Sequence, residues 1–191
     1  MSTVLSKQAT FNYDVSKEFD AHAYYYSDTA RKHFVISRID YCNSILLGLP
    51  NYQQDRLQSV FNVAARLICG RNRYDHITDL LRDRLHWLRV PQWITFKGCL
   101  LVYKSVNGLD PAYIASRYGN KSTIQRRSGL SSASLDDLVI PATKSKFGER
   151  SFAVGGPAAW NALQEAVKAA ESINIFKSKL KIHLFGLSYD T

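Results

Sequence analysis

Two adjacent aspartates, Asp136 and Asp137, are the residues of this chain that most resemble a catalytic pair. Neighbouring carboxylates at a strand turn hold divalent metals for phosphoryl transfer, because two anionic oxygens neutralise a hard cation. Such a centre also needs a third carboxylate and apolar strands on both sides. Here serines precede the pair and one short apolar stretch follows, so the pair reads as a solvated turn. The histidines, His22, His33, His76, His86 and His183, have no His, Cys or acidic partner at metal-ligand spacing on a shared face, which argues against zinc. Asp75-His76 has the form of a base and its orienting acid, but no GxSxG elbow supplies a nucleophile for it. His86, beside Trp87, reads as a packing residue. Gly155-Gly156 runs into Pro157 without the Gly-Lys of a phosphate loop. The expectation is a chain without a catalytic site, a metal or a cofactor, and hence not an enzyme.

The basic residues form a different kind of pattern. Arg66 falls near a helix end, with Arg71 and Arg73 just beyond it beside Tyr74. Lys97 and Lys104 stand seven apart on one helical stripe. Arg126 and Arg127 lie in a loop, Lys144, Lys146 and Arg150 in and after an expected hairpin turn, and Lys177, Lys179 and Lys181 along the last helix. Cations in such places neutralise phosphates and release condensed counterions, and Tyr74, Trp87 and Trp93 offer rings on which exposed bases stack. The bland alternatives are solvated faces for the cations and core packing for the tryptophans.

The chain has 191 residues and a formal net charge of +9, with 46% hydrophobic and 21% charged residues. Those are globular proportions, and a chain this long buries a core without disulfides. Up to Pro50, Lys7, Lys17, Arg31, Lys32 and Arg38 balance Asp14, Glu18, Asp20, Asp28 and Asp40. The whole excess therefore lies beyond residue 50, which favours a polyanionic partner there. Cys42, Cys69 and Cys99 are odd in number and far apart, which reads as reduced thiols in a cytoplasmic or nuclear protein. No apolar run approaches membrane-spanning length, and the first residues lack a secretory core, so no membrane is expected.

The elements that must position these residues are mainly helices. Residues 1–29 read as a poorly ordered lead-in with a short turn over Ala21–Tyr26, residues 30–118 as a helical domain, 119–135 as a linker, and 136–186 as a β-hairpin plus C-terminal helices. A helix from about Thr29 to Leu47 is stopped by Gly48 and Pro50. Leu57, Val60, Phe61, Ala64, Leu67 and Ile68 fall on one stripe of a helix ended by Gly70, with Asp55, Asn62 and Arg66 opposite. Ile77–Leu85 suggests a shorter helix capped by Asp75 or Thr78. Pro91 opens one that reaches Asn107 and stops at Gly108, apolar on two sides and so central in a bundle. Asp110-Pro111 opens a short helix to about Tyr118. Leu138–Ile140 and Phe147–Val154 are expected to pair as strands, Pro157 to start another helix, and Ser172 to cap a last one that ends at Gly186. The fold class is a helical bundle with a small β-hairpin in the C-terminal third.

Several of these segments, taken in order, resemble a known family. They are SRIDYCNSILLGLP (37–50), LQSVFNVAARLICG (57–70), DHITDL (75–80), LHWL (85–88), FKGCLLVYKSVNGLDPAYI (96–114), GERSFAVGGPAAWNAL (148–163) and IFKSKLKIHLF (175–185). Together they look like the C-terminal region of non-LTR retrotransposon reverse transcriptases of the jockey-like kind. Arg89, Trp93 and Gly155-Gly156 depart from the residues usual in that family. The polymerase palm and the endonuclease lie upstream of the matching region, so the resemblance implies a non-catalytic fragment and no catalytic residue carries over. Nonspecific binding of RNA or DNA through the basic clusters is the role such a fragment is expected to retain. The alternatives are a protein-interaction or oligomerisation module using exposed apolar faces, and a remnant of an element without function.

Overall fold

Left-handed glycines set the lengths of the two longest helices in the middle of the chain. The computed structural model describes residues 28–41, 43–111 and 137–189, with the backbone alone for residues 28–32, 146 and 147. Helix α1 spans Asp28–Asp40, α2 Asn51–Ile68, α3 the single turn Ile77–Asp79, and α4 Val90–Val106. After the segment 112–136 come α5 (Lys146–Glu149), α6 (Phe152–Asn161), α7 (Glu165–Lys168) and α8 (Ile173–Tyr189). Gly70 (φ +59°) and Gly108 (φ +67°) follow α2 and α4. At α2 the N–H of Arg71 donates to Arg66 C=O and that of Gly70 to Leu67 C=O; at α4 Leu109 and Gly108 do the same to Lys104 and Ser105. Each pair satisfies carbonyls that a helix end leaves open, and the left-handed residue between them is cheapest as glycine.

The chain divides into two compact units, Met1–Tyr41 and Cys42–Thr191. In the first, α1 ends at Asp40, earlier than the expected Leu47. Within it Ser37 Oγ donates to Phe34 C=O at 2.9 Å, and the Arg38 guanidinium lies 5.3 Å from the Phe34 ring centroid.

The second unit is built around α4. A short 3-10 turn, Asn43–Leu46, precedes Gly48 (φ +81°), and it lays Leu47 against the bundle. A Cβ on Gly98 of α4 would come within 2.2 Å of Leu47 Cδ1, and one on Gly155 of α6 within 3.2 Å of Leu47 Cβ. The two glycines thus make the recess that Leu47 fills. On its other flank α4 packs on α8. Tyr103 stacks on Phe176 (centroids 4.2 Å apart), Trp160 lies 5.8 Å from Phe176, and the Tyr103 hydroxyl donates to Ala170 C=O at 2.8 Å. Cys99, Val102, Leu163, Val167, Leu180 and Leu184 complete this core. The start of α4 is satisfied from α2: Val90 N–H donates to Gln58 Oε1 at 2.7 Å, and the next residue, Pro91, has no N–H to satisfy.

Four expectations change here. The β-hairpin is absent, and no strand occurs among the described residues. Phe147–Val154 folds instead into α5 and the start of α6, because Phe152, Gly156 and Trp160 recur every four residues and so fall on one helical face toward the core. Leu138 is held by a side chain: its N–H donates to Asn161 Oδ1 (2.8 Å) and its C=O accepts from Asn161 Nδ2 (3.0 Å). Pro157 consequently sits inside α6 and does not start it. The Ile77 helix widens into a π-turn at Leu80–Leu85, closed by a left-handed His86 (φ 51°) whose neighbour Trp87 donates to Leu81 C=O. The wide turn buries Leu80, Leu81 and Leu85 together. Ser172 Oγ does accept from Ile175 N–H at the start of α8, but α8 runs through Gly186 to Tyr189. The expected turn at Ala21–Tyr26, helix at Asp110–Tyr118 and linker lie wholly or mainly outside the described residues.

Candidate nucleic-acid interface

Of the basic residues singled out in the sequence, those just beyond α2 form the best-defined group. Arg66 leaves the last turn of α2 and donates Nε and Nη2 to Asp75 C=O at 3.3 and 3.2 Å. Asp75 in turn accepts from Asn72 N–H through Oδ2 at 3.0 Å and donates its own N–H to Asn72 C=O. These bonds close a turn over residues 70–75. Arg71, Arg73 and Tyr74 stand exposed on it, Tyr74 at 92%. Arg66 therefore shapes the turn, while Arg71 and Arg73 present the charge. The one carboxylate in the loop, Asp75, is engaged by a backbone N–H.

The other clusters are less uniform. Lys97 and Lys104 are half-buried on α4, which neighbours cover on most sides, so they do not make an open stripe. Lys144 and Arg150 are exposed on either side of α5, where no hairpin turn exists; a Cβ on Gly48 would lie 2.8 Å from Arg150 Cα, so the Arg150 backbone is fixed there. Lys177 and Lys181 are exposed and four residues apart on α8. Lys179 instead donates to Ala166 C=O at 2.9 Å, satisfying a carbonyl of the short α7. Arg126, Arg127 and the Lys146 side chain lie outside the described residues.

The aromatic expectations divide. Tyr74 is open, but Trp87 is 4% exposed and stacked on Phe61 at 4.8 Å, and Trp93 packs on the core beside Phe96. Trp87 therefore offers no face to a base, and Trp93 is partly buried against the core. Asp137 is likewise not solvated: Lys168 Nζ lies 3.1 Å from its Oδ1, with the Lys168 side chain 2% and the Asp137 side chain 17% exposed. Glu165 stands 3.7 Å from the same ammonium. Among the described residues, no three His, Cys, Asp or Glu side chains gather as metal ligands. Cys99 is sealed in the core, and burial pushes its thiol from 9.0 up to about 12.

Sequence reasoning passed over a second charged locus, around the π-turn. Arg82 binds Asp83 through two hydrogen bonds of 2.7 and 3.1 Å, and hydrogen bonding from Arg82 chiefly holds the Asp83 carboxyl below its usual range. Arg89 lies 5.6 Å over the Tyr189 ring, and the Tyr189 hydroxyl donates to Trp87 C=O at 2.6 Å. Burial raises the Tyr189 phenol. The alternation Arg82-Asp83-Arg84 was the available signal, but its local pairing leaves little net field. No helix of the described residues is long and apolar enough to cross a membrane. No protein-family model, curated protein or solved structure matches the chain.

Proposed function

We propose that this chain binds RNA or DNA without sequence preference, as an intracellular, non-catalytic segment resembling the C-terminal region of a retrotransposon reverse transcriptase. The observation that carries the reading is the closed turn after α2, where Arg71, Arg73 and Tyr74 are exposed while Arg66 and Asp75 are spent on holding the loop. Two cations and a ring on a fixed turn suit a phosphate backbone and one stacked base. Lys177 with Lys181, and Lys144 with Arg150, are accessory phosphate contacts. Asp137 serves Lys168 and the Cys99 thiol is inaccessible, so neither is offered for chemistry.

Fluorescence anisotropy with a labelled oligonucleotide over a salt series is the test. Micromolar affinity is expected at low salt, falling with a log–log slope of about −0.7 to −0.9 per phosphate contacted. Replacing Arg71 and Arg73 together with Ala should reduce the slope by about 1.4 to 1.8, one increment for each arginine. Tyr74→Ala should weaken single-stranded binding by about tenfold and spare duplex binding, because only an unpaired base presents its face. Lys7→Ala with Lys17→Ala should change nothing. Absence of binding at low salt, or a slope unmoved by the double substitution, would overturn the reading.

A further inference from the structure

The apolar stripe of α2 does not bury as its sequence suggests. Phe61, Ala64, Ala65 and Ile68 turn inward, whereas Val60 is 65%, Val63 54%, Leu57 40% and Leu67 36% exposed. Arg56, Val60, Val63 and Leu67 follow one another in steps of four, three and four, the spacing of a seam that meets a second helix along its length. An uncovered row of this kind, in a helix whose other side is already packed on α4 and the π-turn, marks an interaction surface.

Its charge specifies the partner. Arg56 lies exposed within the row, and Arg71 and Arg73 are exposed just past its C-terminal end. The row itself contains no carboxylate: Asp55, the acidic residue of α2, is exposed about 100° round the helix from Arg56, and the half-buried Asp75 has its carboxylate turned to Asn72 N–H. A second copy of this chain would bring three arginines from each side to one seam with no acid in the row itself to meet them, so self-pairing is disfavoured. We infer that the outer face of α2 docks an acidic amphipathic helix, whose apolar residues cover Val60, Val63 and Leu67 and whose flanking carboxylates meet Arg56, Arg71 and Arg73. Such a partner shares Arg71 and Arg73 with nucleic acid and competes for them, but its binding rests on Val60 and Val63 and needs no nucleic acid.

The test uses the full chain and two synthetic helical peptides about three heptads long. Both carry Leu at the a and d positions; one has Glu at e and g, the other Lys. By anisotropy without nucleic acid, the Glu peptide is expected to bind in the micromolar range and the Lys peptide at least about tenfold more weakly. Val60→Ser with Val63→Ser should abolish binding while leaving the thermal melt in place, since both residues are already exposed. Arg56→Glu should narrow or invert the preference between the peptides. Equal affinity for both peptides, no binding of either, or binding that survives the double substitution would overturn the inference. It would also fall if phosphatidylserine vesicles, and not the Glu peptide, captured the chain through Val60 and Val63, or if sedimentation showed a dimer that the double substitution dissolved.

Discussion

Asp137 and Lys168 show how a pair of residues changes meaning once its surroundings are known. Beside Asp136 in the sequence, Asp137 suggests a metal ligand or a solvated turn; in the fold it neutralises an ammonium whose side chain is 2% exposed. Removing one member of such a pair leaves an uncompensated buried charge. Asp137→Asn is therefore expected to cost about 3–5 kcal/mol, less whatever Glu165 at 3.7 Å recovers, as read from the urea midpoint. Lys168→Met combined with Asp137→Leu should cost less than the single change, because no charge is then stranded. Cys99 carries a pH signature. Its thiol ionises near 9.0 when unfolded and only near about 12 when folded, so above pH 9 the unfolded state loses its proton first. The stabilisation is complete below pH 9 and declines as pH rises, by about 1.4 kcal/mol per pH unit until the folded value is reached. Denaturation midpoints measured from pH 8 upward should fall more gently in Cys99→Ala than in the parent, with Tyr189 contributing a second decline in both.

At the scale of elements, α8 is the one on which the core most depends. Phe176 is fully buried and stacks on Tyr103 while lying near Trp160, so Phe176→Ala should destabilise the second unit by about 3–5 kcal/mol in chemical denaturation. The helices whose ends carry local chemistry were legible in the sequence. Gly70, Pro91 and Gly108 place the ends of α2 and α4 within a residue or two, because left-handed turns and a missing N–H act within one helical turn. The hairpin expectation misread Phe147–Val154, pairing it with Leu138–Ile140 as a second strand across Pro141 and a basic stretch. The four-residue recurrence that matters runs from Phe152 on to Trp160, across glycines and a proline that ordinarily break helices. The π-turn was not legible either: nothing local to Leu80–Leu85 demands a wider turn, which answers to the burial of three leucines together. On α2 the period was right and the direction partly wrong. Periodicity tells which residues share a face; the neighbours decide which face is covered. Of the candidate site, Arg71, Arg73 and Tyr74 were legible as a cluster, whereas the structural work of Arg66 and Lys179 required partners far along the chain or around a turn.

Across the whole molecule, the second unit joins residues distant in sequence into one core. The Tyr103 hydroxyl bonds Ala170, and the Tyr189 hydroxyl bonds Trp87. A chain cut after Glu171 loses Phe176, Leu180 and Leu184 from that core together. It should show no cooperative thermal transition by circular dichroism, even though every residue of the proposed phosphate-binding turn remains. A cooperative melt in the shortened chain would mean that α2, α4 and α6 support one another without α8.

The same long closure has a consequence during synthesis. Tyr103 and Ala170, whose bond joins α4 to the segment just before α8, are 67 residues apart, and Trp87 and Tyr189 are 102 apart. At ~5–20 residues per second, a ribosome takes roughly 3 to 13 s to add the residues between Tyr103 and Ala170. For that interval α4 has emerged with Tyr103 and Cys99 bare of their later partners. The nascent chain at this stage is a basic polypeptide with an open apolar flank beside ribosomal RNA. The timing makes it a client for whatever shields apolar surface at the tunnel exit, until Phe176 arrives to cover it.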